Sequence, residues 1–295
     1  MTRAATARVG VDPLVGVHVS SAGGLVRAVE RGVGLDCRTI QVFTKNSNQW
    51  AGKAVVPADA AAFSKAARNA RLAPLSAHAA YLINLAAPDE AIRKRSVLGL
   101  VDEIERCDQH GIAFLVLHPG SHGGDGEETG LDRIARGLDE AASLTPASKT
   151  FVLLESAAGQ GACLGHTLAQ LAALRQRAAS KKRIAFCLDT CHLHAAGYDL
   201  VTKNGWKSLI DETEETIGLA RVKLIHANDS KKERGCRVDR HERIGMGAIG
   251  EAGFANLMTE PAFERVPKIL ETPKDEAGEY DRLGLAALRR LSNGR

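Results

Sequence analysis

The chain reads FVLLE at residues 151–155 and IAFCLD at 184–189, two short apolar runs that each stop on a carboxylate, Glu155 and Asp189. Continuous rather than alternating apolarity marks a strand covered on both faces, as in a parallel sheet packed under helices. The same design repeats on either side. PLSAH ends on His78, FLVLH on His118, VKLIH on His226 and KILE on Glu271. An isolated histidine after an apolar run is usually a core residue. Six coordinating side chains at six equivalent strand ends need a common cause. In repeated βα units those ends lie on one face, where barrel active sites are built.

Eight runs rich in Val, Ile, Leu and Phe are present, at 15–19, 39–44, 74–78, 113–118, 150–155, 183–189, 222–227 and 268–271. Segments of helical character lie between and after them, at 58–70, 88–109, 129–144, 164–178, 207–220, 251–260 and 277–291. The second of these opens on Pro88-Asp89-Glu90, with acids in its first turn, and stops before Gly111. The connections are short, and no Pro-, Gly- or Ser-rich linker divides the chain. This alternation predicts an α/β fold, a single (β/α)8 TIM barrel over 15–295 with its site at the C-terminal ends of the strands. An open doubly wound sheet is the alternative topology. Residues 1–14 begin MTRAATARVGVD, lack an apolar signal-peptide core, and read as a flexible tail.

A length of 295 residues suits one large barrel or two small domains, and a hydrophobic fraction of 44% supports a sizeable core. No apolar stretch approaches the ~18 residues that suggest a membrane span, so no membrane partner is expected. The six cysteines, Cys37, Cys107, Cys163, Cys187, Cys191 and Cys236, form no CxxC pair. They predict reduced, mostly buried thiols and a cytoplasmic protein rather than a disulfide framework or a structural zinc site. The net charge of +4 does not by itself suggest nucleic acid, but Lys231–Arg243 (KKERGCRVDRHER) carries six basic and three acidic residues. Such a loop attracts phosphate even on a near-neutral protein.

The candidate ligands are four carboxylates, Glu155, Asp189, Asp239 and Glu271, and five imidazoles, His78, His118, His192, His226 and His241. His192, Asp239 and His241 are expected in loops just after strands. A mixed nitrogen and oxygen set suits zinc, with manganese or iron as alternatives; Cys191, beside His192, is a minor further candidate. A zinc ion with an open position takes about three protein ligands, so nine residues with one bridging carboxylate suffice for three metals. The pairs Asp189-x-x-His192 and Asp239-x-His241 chelate at little loop-closure cost. A polynuclear centre of this kind points to hydrolysis.

The motifs GVHVSSAGG (16–24), FTKN and QW (43–50), SAHAAYLINLA (76–86), LHPGSH (117–122), CLDTCHLHAAGYD (187–199), HANDSK (226–231), DRHERIG (239–245) and LETP (270–273) give a more specific reading. From about Val15 to Leu291 the chain resembles the endonuclease IV family, the zinc-dependent apurinic/apyrimidinic endonucleases (AP endonuclease family 2). The resemblance implies three Zn2+ ions, with Mn2+ or Fe2+ able to substitute at one site. His78, His118 and Glu155 would hold the first. Glu155 as a bridge, Asp189, His226 and Glu271 would hold the second, and His192, Asp239 and His241 the third. It implies cleavage of duplex DNA 5′ to abasic sites, leaving 3′-hydroxyl and 5′-deoxyribose phosphate ends, and removal of 3′-blocking groups. It further implies a monomer at the nucleoid. Two metals about 4 Å apart make a shared water acidic near neutral pH, and Glu155 and Glu271 best fit holding or deprotonating that water.

For DNA, the resemblance places Tyr81 and Leu82 as a wedge at the lesion. His18 is expected at the phosphate backbone on the same rim, and Lys231, Lys232 and Arg240 on the basic loop. Asn48 stands where the family often has Arg, which lowers the expected filling of the gap in the DNA. Ala80 replaces a usual Pro, and Ser156-Ala157 a common Asn-Thr. His110 and His166 are expected at helix ends, with His122 and His194 flanking the site. A divalent-metal sugar isomerase or epimerase would need about two metals and leaves the His192, Asp239 and His241 trio unexplained. A non-catalytic lesion binder would not need the intact ligand set.

Overall fold

Period-two alternation within each strand fixes where the polar strand ends point, and it does so on eight strands in register. A computed structural model describes residues 12–293. Its strands are β1 (Val15–His18), β2 (Thr39–Val42), β3 (Leu75–His78), β4 (Phe114–Leu117), β5 (Phe151–Glu155), β6 (Ile184–Asp189), β7 (Val222–His226) and β8 (Lys268–Leu270). They pair in parallel in chain order. β1 closes on β8, with Val17 opposite Leu270, so the fold is a TIM barrel. The ladder ends slightly earlier than the apolar runs do, which leaves His118 and Glu271 one residue beyond β4 and β8.

Successive side chains point to opposite faces of a strand. Val116, Leu153, Ala185, Cys187, Leu224 and Ile269 pack together inside the barrel. Their strand neighbours, among them Leu115, Val152, Leu154, Phe186, Ile225 and Leu270, pack outward against the helices. Two residues beyond each of the inward six, the inward position recurs at His118, Glu155, Cys187, Asp189, His226 and Glu271. The same count on the remaining strands turns His18, Gln41 and His78 inward. The top of the barrel is thus closed by a ring with one polar side chain from each strand: His18, Gln41, His78, His118, Glu155, Asp189, His226 and Glu271. At the other end the barrel is tight. A Cβ on Gly16 would lie 1.7 Å from the Thr39 carbonyl oxygen, so only glycine fits.

The helices are α1 (Leu25–Gly34), α2 (Pro57–Asn69), α3 (Glu90–His110), α4 (Glu127–Leu144), α5 (Leu168–Arg177), α6 (Thr190–Ala196), α7 (Lys203–Thr216), α8 (Gly250–Thr259) and α9 (Glu279–Ser292). Two of them, α1 and α6, are additions to the sequence-based expectation. Asp189 caps α6 by accepting from the His192 amide (2.8 Å), and Gly197 ends it at φ 118. His192 is therefore on a helix and not in a loop. α5 starts later than expected because Cys163–Leu164 pairs antiparallel with Gly120–Ser121. A second ribbon joins Asp229–Ser230 to His241–Glu242. The tail expected over 1–14 falls largely outside the described residues; Leu14 is held by the Lys268 amide (2.8 Å).

Candidate metal centre

The nine sequence-predicted ligands converge. Among the described residues, four groups bring ligand atoms within 4.8 Å of one another. Three are His78, His118 and Glu155; Glu155, Asp189, His226 and Glu271; and His192, Asp239 and His241. The fourth adds Cys191 to Asp189 and His241. Glu155 is fully buried at the middle. One of its oxygens lies 2.9 Å from His118 Nε2 and 3.2 Å from His78 Nε2, and the other 2.9 Å from His226 Nδ1. Asp239 reaches His192 Nε2 (3.1 Å) and His241 Nε2 (3.2 Å). His118 and Asp239 are the exposed lip of the cluster, at 42% and 43% of their side chains.

Four of the five imidazoles are turned by a partner behind them. Nδ1 of His78 donates to the Ala79 carbonyl (2.8 Å), Nδ1 of His192 to Ser156 (2.8 Å) and Nδ1 of His241 to Glu271 (3.1 Å). A ring nitrogen facing a carbonyl must carry a proton, so Nε2 of each is the nitrogen aimed into the cluster and the one a cation would take. His226 is reversed: Nε2 donates to Gln41 Oε1 (3.0 Å), which frees Nδ1. Gln41 donates to Glu271 (2.7 Å) and Asn228 to Asp189 (2.6 Å). Imidazole nitrogens and carboxylate oxygens facing one another, with outer partners in place, is the chemistry of a divalent-cation site.

The electrostatics agree. Burial favours neutral carboxyls, but the surrounding imidazoles hold Glu155 and Glu271 well below the usual range, His118 and His226 acting on the first, His226 and His18 on the second. Burial lowers His241, yet Asp189 and Asp239 carry it up to about 9. An entering cation must displace such protons, so binding weakens in acid.

The remaining predicted residues divide. Tyr81 stands at the mouth, 57% exposed, its ring 5.4 Å from His78 and 6.0 Å from His118. Leu82 is half-buried beside it, and Asn48, Lys231, Lys232 and Arg240 are exposed or partly so. His18 lines the same cleft as Tyr81 and His241; its Nδ1 sits on Glu271 (2.9 Å), and its Nε2 is buried without a hydrogen-bond partner among the described residues. His122 holds a turn by accepting from Gly124 and Gly126, His110 ends α3 and bonds the Arg106 carbonyl, His166 bonds the Cys163 carbonyl, and the buried ring of His194 has no hydrogen-bond partner among the described residues.

The rim loops are tied together by a residue outside the sequence-based list. Glu103, buried on α3, accepts from Thr44 Oγ1 (2.7 Å) and from the Ala80 amide (3.1 Å), and lies 3.3 Å from buried Lys45. Lys45 also donates to Asp102 (2.5 Å). One carboxylate thus joins the loop of Asn48 to the loop of Tyr81. Tyr81 separates two clefts. One, of about 790 Å3, runs past His241 and Glu271 toward Arg31, Lys274 and Arg282. The other, of about 470 Å3, runs past His118 and Asp239 toward Asn84, Gln160 and Cys163. No helix among the described residues is long and apolar enough to cross a membrane.

Comparison with known proteins fits this geometry. A family model described as a xylose isomerase-like TIM barrel matches residues 29–291. A probable endonuclease 4 of Geobacter sulfurreducens is 47% identical over 281 residues, covering 95% of each chain. One from Geobacter sp. strain M21 is 44% identical, covering 95% of this chain and 99% of the relative. The crystal structure of endonuclease IV from Thermus thermophilus superposes with a TM-score of 0.85 at 33% identity, over 96% of this chain and all of the other.

Proposed function

From the premise that the chain belongs to the endonuclease IV family, we propose that it is a zinc-dependent DNA-repair endonuclease. It hydrolyses the phosphodiester bond 5′ to an abasic site in duplex DNA, leaving a 3′-hydroxyl and a 5′-deoxyribose phosphate, and clears blocking groups from 3′ ends by the same hydrolysis. The observation that carries this reading is the gathering of nine ligand side chains into three groups, two of which share Glu155. Nitrogen and oxygen donors in that number suit three zinc ions at about three protein ligands each. His78, His118 and Glu155 would hold one; Glu155, Asp189, His226 and Glu271 the next; His192, Asp239 and His241 the last. Bound there, the ions would make water acidic near neutral pH and screen the charge on the phosphate.

The side chains divide the remaining work. Glu155, flanked by the imidazoles of His78, His118 and His226, belongs to two of the ligand groups and would serve as a ligand to both ions. Glu271 is fixed by Gln41 and His18 on one oxygen, and its other oxygen, 3.1 Å from His226 Nδ1, faces the ligand cluster, where it would both hold the second ion and orient the attacking water. Tyr81, exposed beside His118, fills the space of the missing base, with Leu82 behind it. Lys231, Lys232 and Arg240 lie on the excursion that carries Asp239, so phosphate contacts and the third ion share a loop. All nine ligands come from one chain, so a monomer suffices, acting on DNA in the cytoplasm.

The test is a labelled duplex with a single tetrahydrofuran abasic analogue. Metal-replete protein should cut once, 5′ to the analogue, leaving an end that a polymerase extends. Chelation should abolish the cut and added zinc restore it. Absence of cutting by metal-replete protein, or cutting 3′ to the analogue, would overturn the reading.

A further inference from the structure

Two of the three ligands of the last ion, Asp239 and His241, come from the single loop after β7, and that loop is organised around a buried residue that binds no metal. Asp229 is fully buried. One carboxylate oxygen accepts from the amides of Ser230 (2.8 Å) and Ile249 (2.9 Å). The other accepts from Gly245 (3.0 Å) and Gly247 (2.9 Å), and the Gly250 amide lies between the two at 3.4 and 3.2 Å. Five backbone amides wrapped on one carboxylate leave it no free lone pair to offer a cation. The glycine pattern Gly245, Gly247, Gly250 follows from this wrapping. Gly245 and Gly250 have φ of 79 and 67. A Cβ on Gly247 would lie 2.5 Å from Asp229 Oδ1 and 2.3 Å from the Ser230 carbonyl oxygen.

The wrapped segment adjoins the ligand segment. Ser230 pairs with His241 in the short ribbon, and the Lys231 amide donates to Arg240 (2.9 Å). The far side of the excursion hangs on the end of α6, where Gly235 and Arg237 donate to the carbonyls of His194 (3.0 Å) and Ala195 (2.9 Å). Of the other seven ligands, six stand on β3 to β8 or directly after them and His192 stands on α6, and none of the seven takes part in these contacts.

We infer that Asp229 is a positioning residue for the third metal position alone, and that this position is a module that can be emptied while the other two stay filled. The inference rests on the trinuclear reading above. In Asp229→Asn one acceptor oxygen becomes an amide donor pointed at backbone donors, so the wrap opens and Asp239 and His241 lose their register.

The test is metal content after chelator-free purification, read with the thermal melting curve of the same samples. Wild type should carry about three zinc ions and Asp229→Asn about two, with a cooperative melt retained. Gly247→Ala strains the same wrap from the amide side and should lose the same ion. Asp239→Asn, which removes a ligand directly, calibrates the loss of one ion. Wild-type metal content in both Asp229→Asn and Gly247→Ala would overturn the inference, and so would loss of all three ions in both. A wild type that holds two ions or fewer would instead refute the trinuclear reading and take this inference with it.

Discussion

Replacing Tyr81 by alanine should weaken binding to abasic duplex about 10- to 100-fold while leaving binding to intact duplex nearly unchanged. The magnitude follows from the placement of the ring. An aromatic side chain offers roughly 150–250 Å2 of surface, and Tyr81 is 57% exposed, so about 100 Å2 remains for a base or sugar. At about 25 cal/mol per Å2 that is roughly 2.5 kcal/mol, within the ~1–3 kcal/mol of one base–aromatic stack. Each 1.4 kcal/mol is about tenfold. The buried part of the ring lies edge-on to Phe43 at 5.6 Å, and losing it should lower stability by only about 1 kcal/mol. Metal content should stay at the wild-type value, because the Ala79 carbonyl, and not Tyr81, orients His78. Tyr81→Phe should bind within about twofold of wild type, since stacking does not use the hydroxyl. Affinities are best measured in the Glu271→Gln background, where the strand is not cut. An equal loss on abasic and intact duplex would refute the reasoning and make Tyr81 a general contact or a structural residue.

Three further outcomes are expected. Glu271→Gln should lower single-turnover cleavage at saturating enzyme by at least about 100-fold, the scale of a positioned general base, with DNA affinity kept within a few fold; a near-normal rate would remove Glu271 from the reacting centre. Replacing both Lys231 and Lys232 with alanine should make the slope of log affinity against log salt shallower by about 2, and an unchanged slope would assign the loop to solvent. Lys268 is buried at the start of β8, and burial pushes its ammonium from 10.5 down to about 8. Between those pH values the unfolded chain binds a proton that the folded chain has lost, so stability should rise with pH across that window, by up to roughly 3 kcal/mol. Denaturant titrations of Lys268→Met should show the rise flattened; a full rise in the variant would place its cause elsewhere.

The sequence carries the barrel and its ligands through one rule, a polar side chain at the inward position that ends an apolar strand. His78, His118, Glu155, Asp189, His226 and Glu271 obey it. Gln41 obeys it as well, in TIQV, but a glutamine is not a metal ligand and so does not stand out among candidate ligands. The partners that hold His18, Glu271 and Gln41, lie 253 and 23 residues away along the chain and cannot be read from its motif. What stays hidden is contact at long sequence range. The wrap on Asp229 draws amides from 245 to 250, and the bridge through Glu103 joins residues 44 and 80. α6 is hard to read because it is only seven residues long and caps itself with a residue that already counts as a ligand.

The seam between β1 and β8 also orders events in time. A chain made from its N-terminus presents β1 long before β8 exists, and until then β1 and β7 both show unpaired edges. Over that interval Gln41 and His18 have no Glu271 to hold, so the carboxylate proposed to orient the water is the last of the nine to arrive. A chain that stops short of Glu271 lacks one of the nine ligands of the proposed centre. The strand that seals the barrel is therefore also the one that brings the last ligand of the proposed centre.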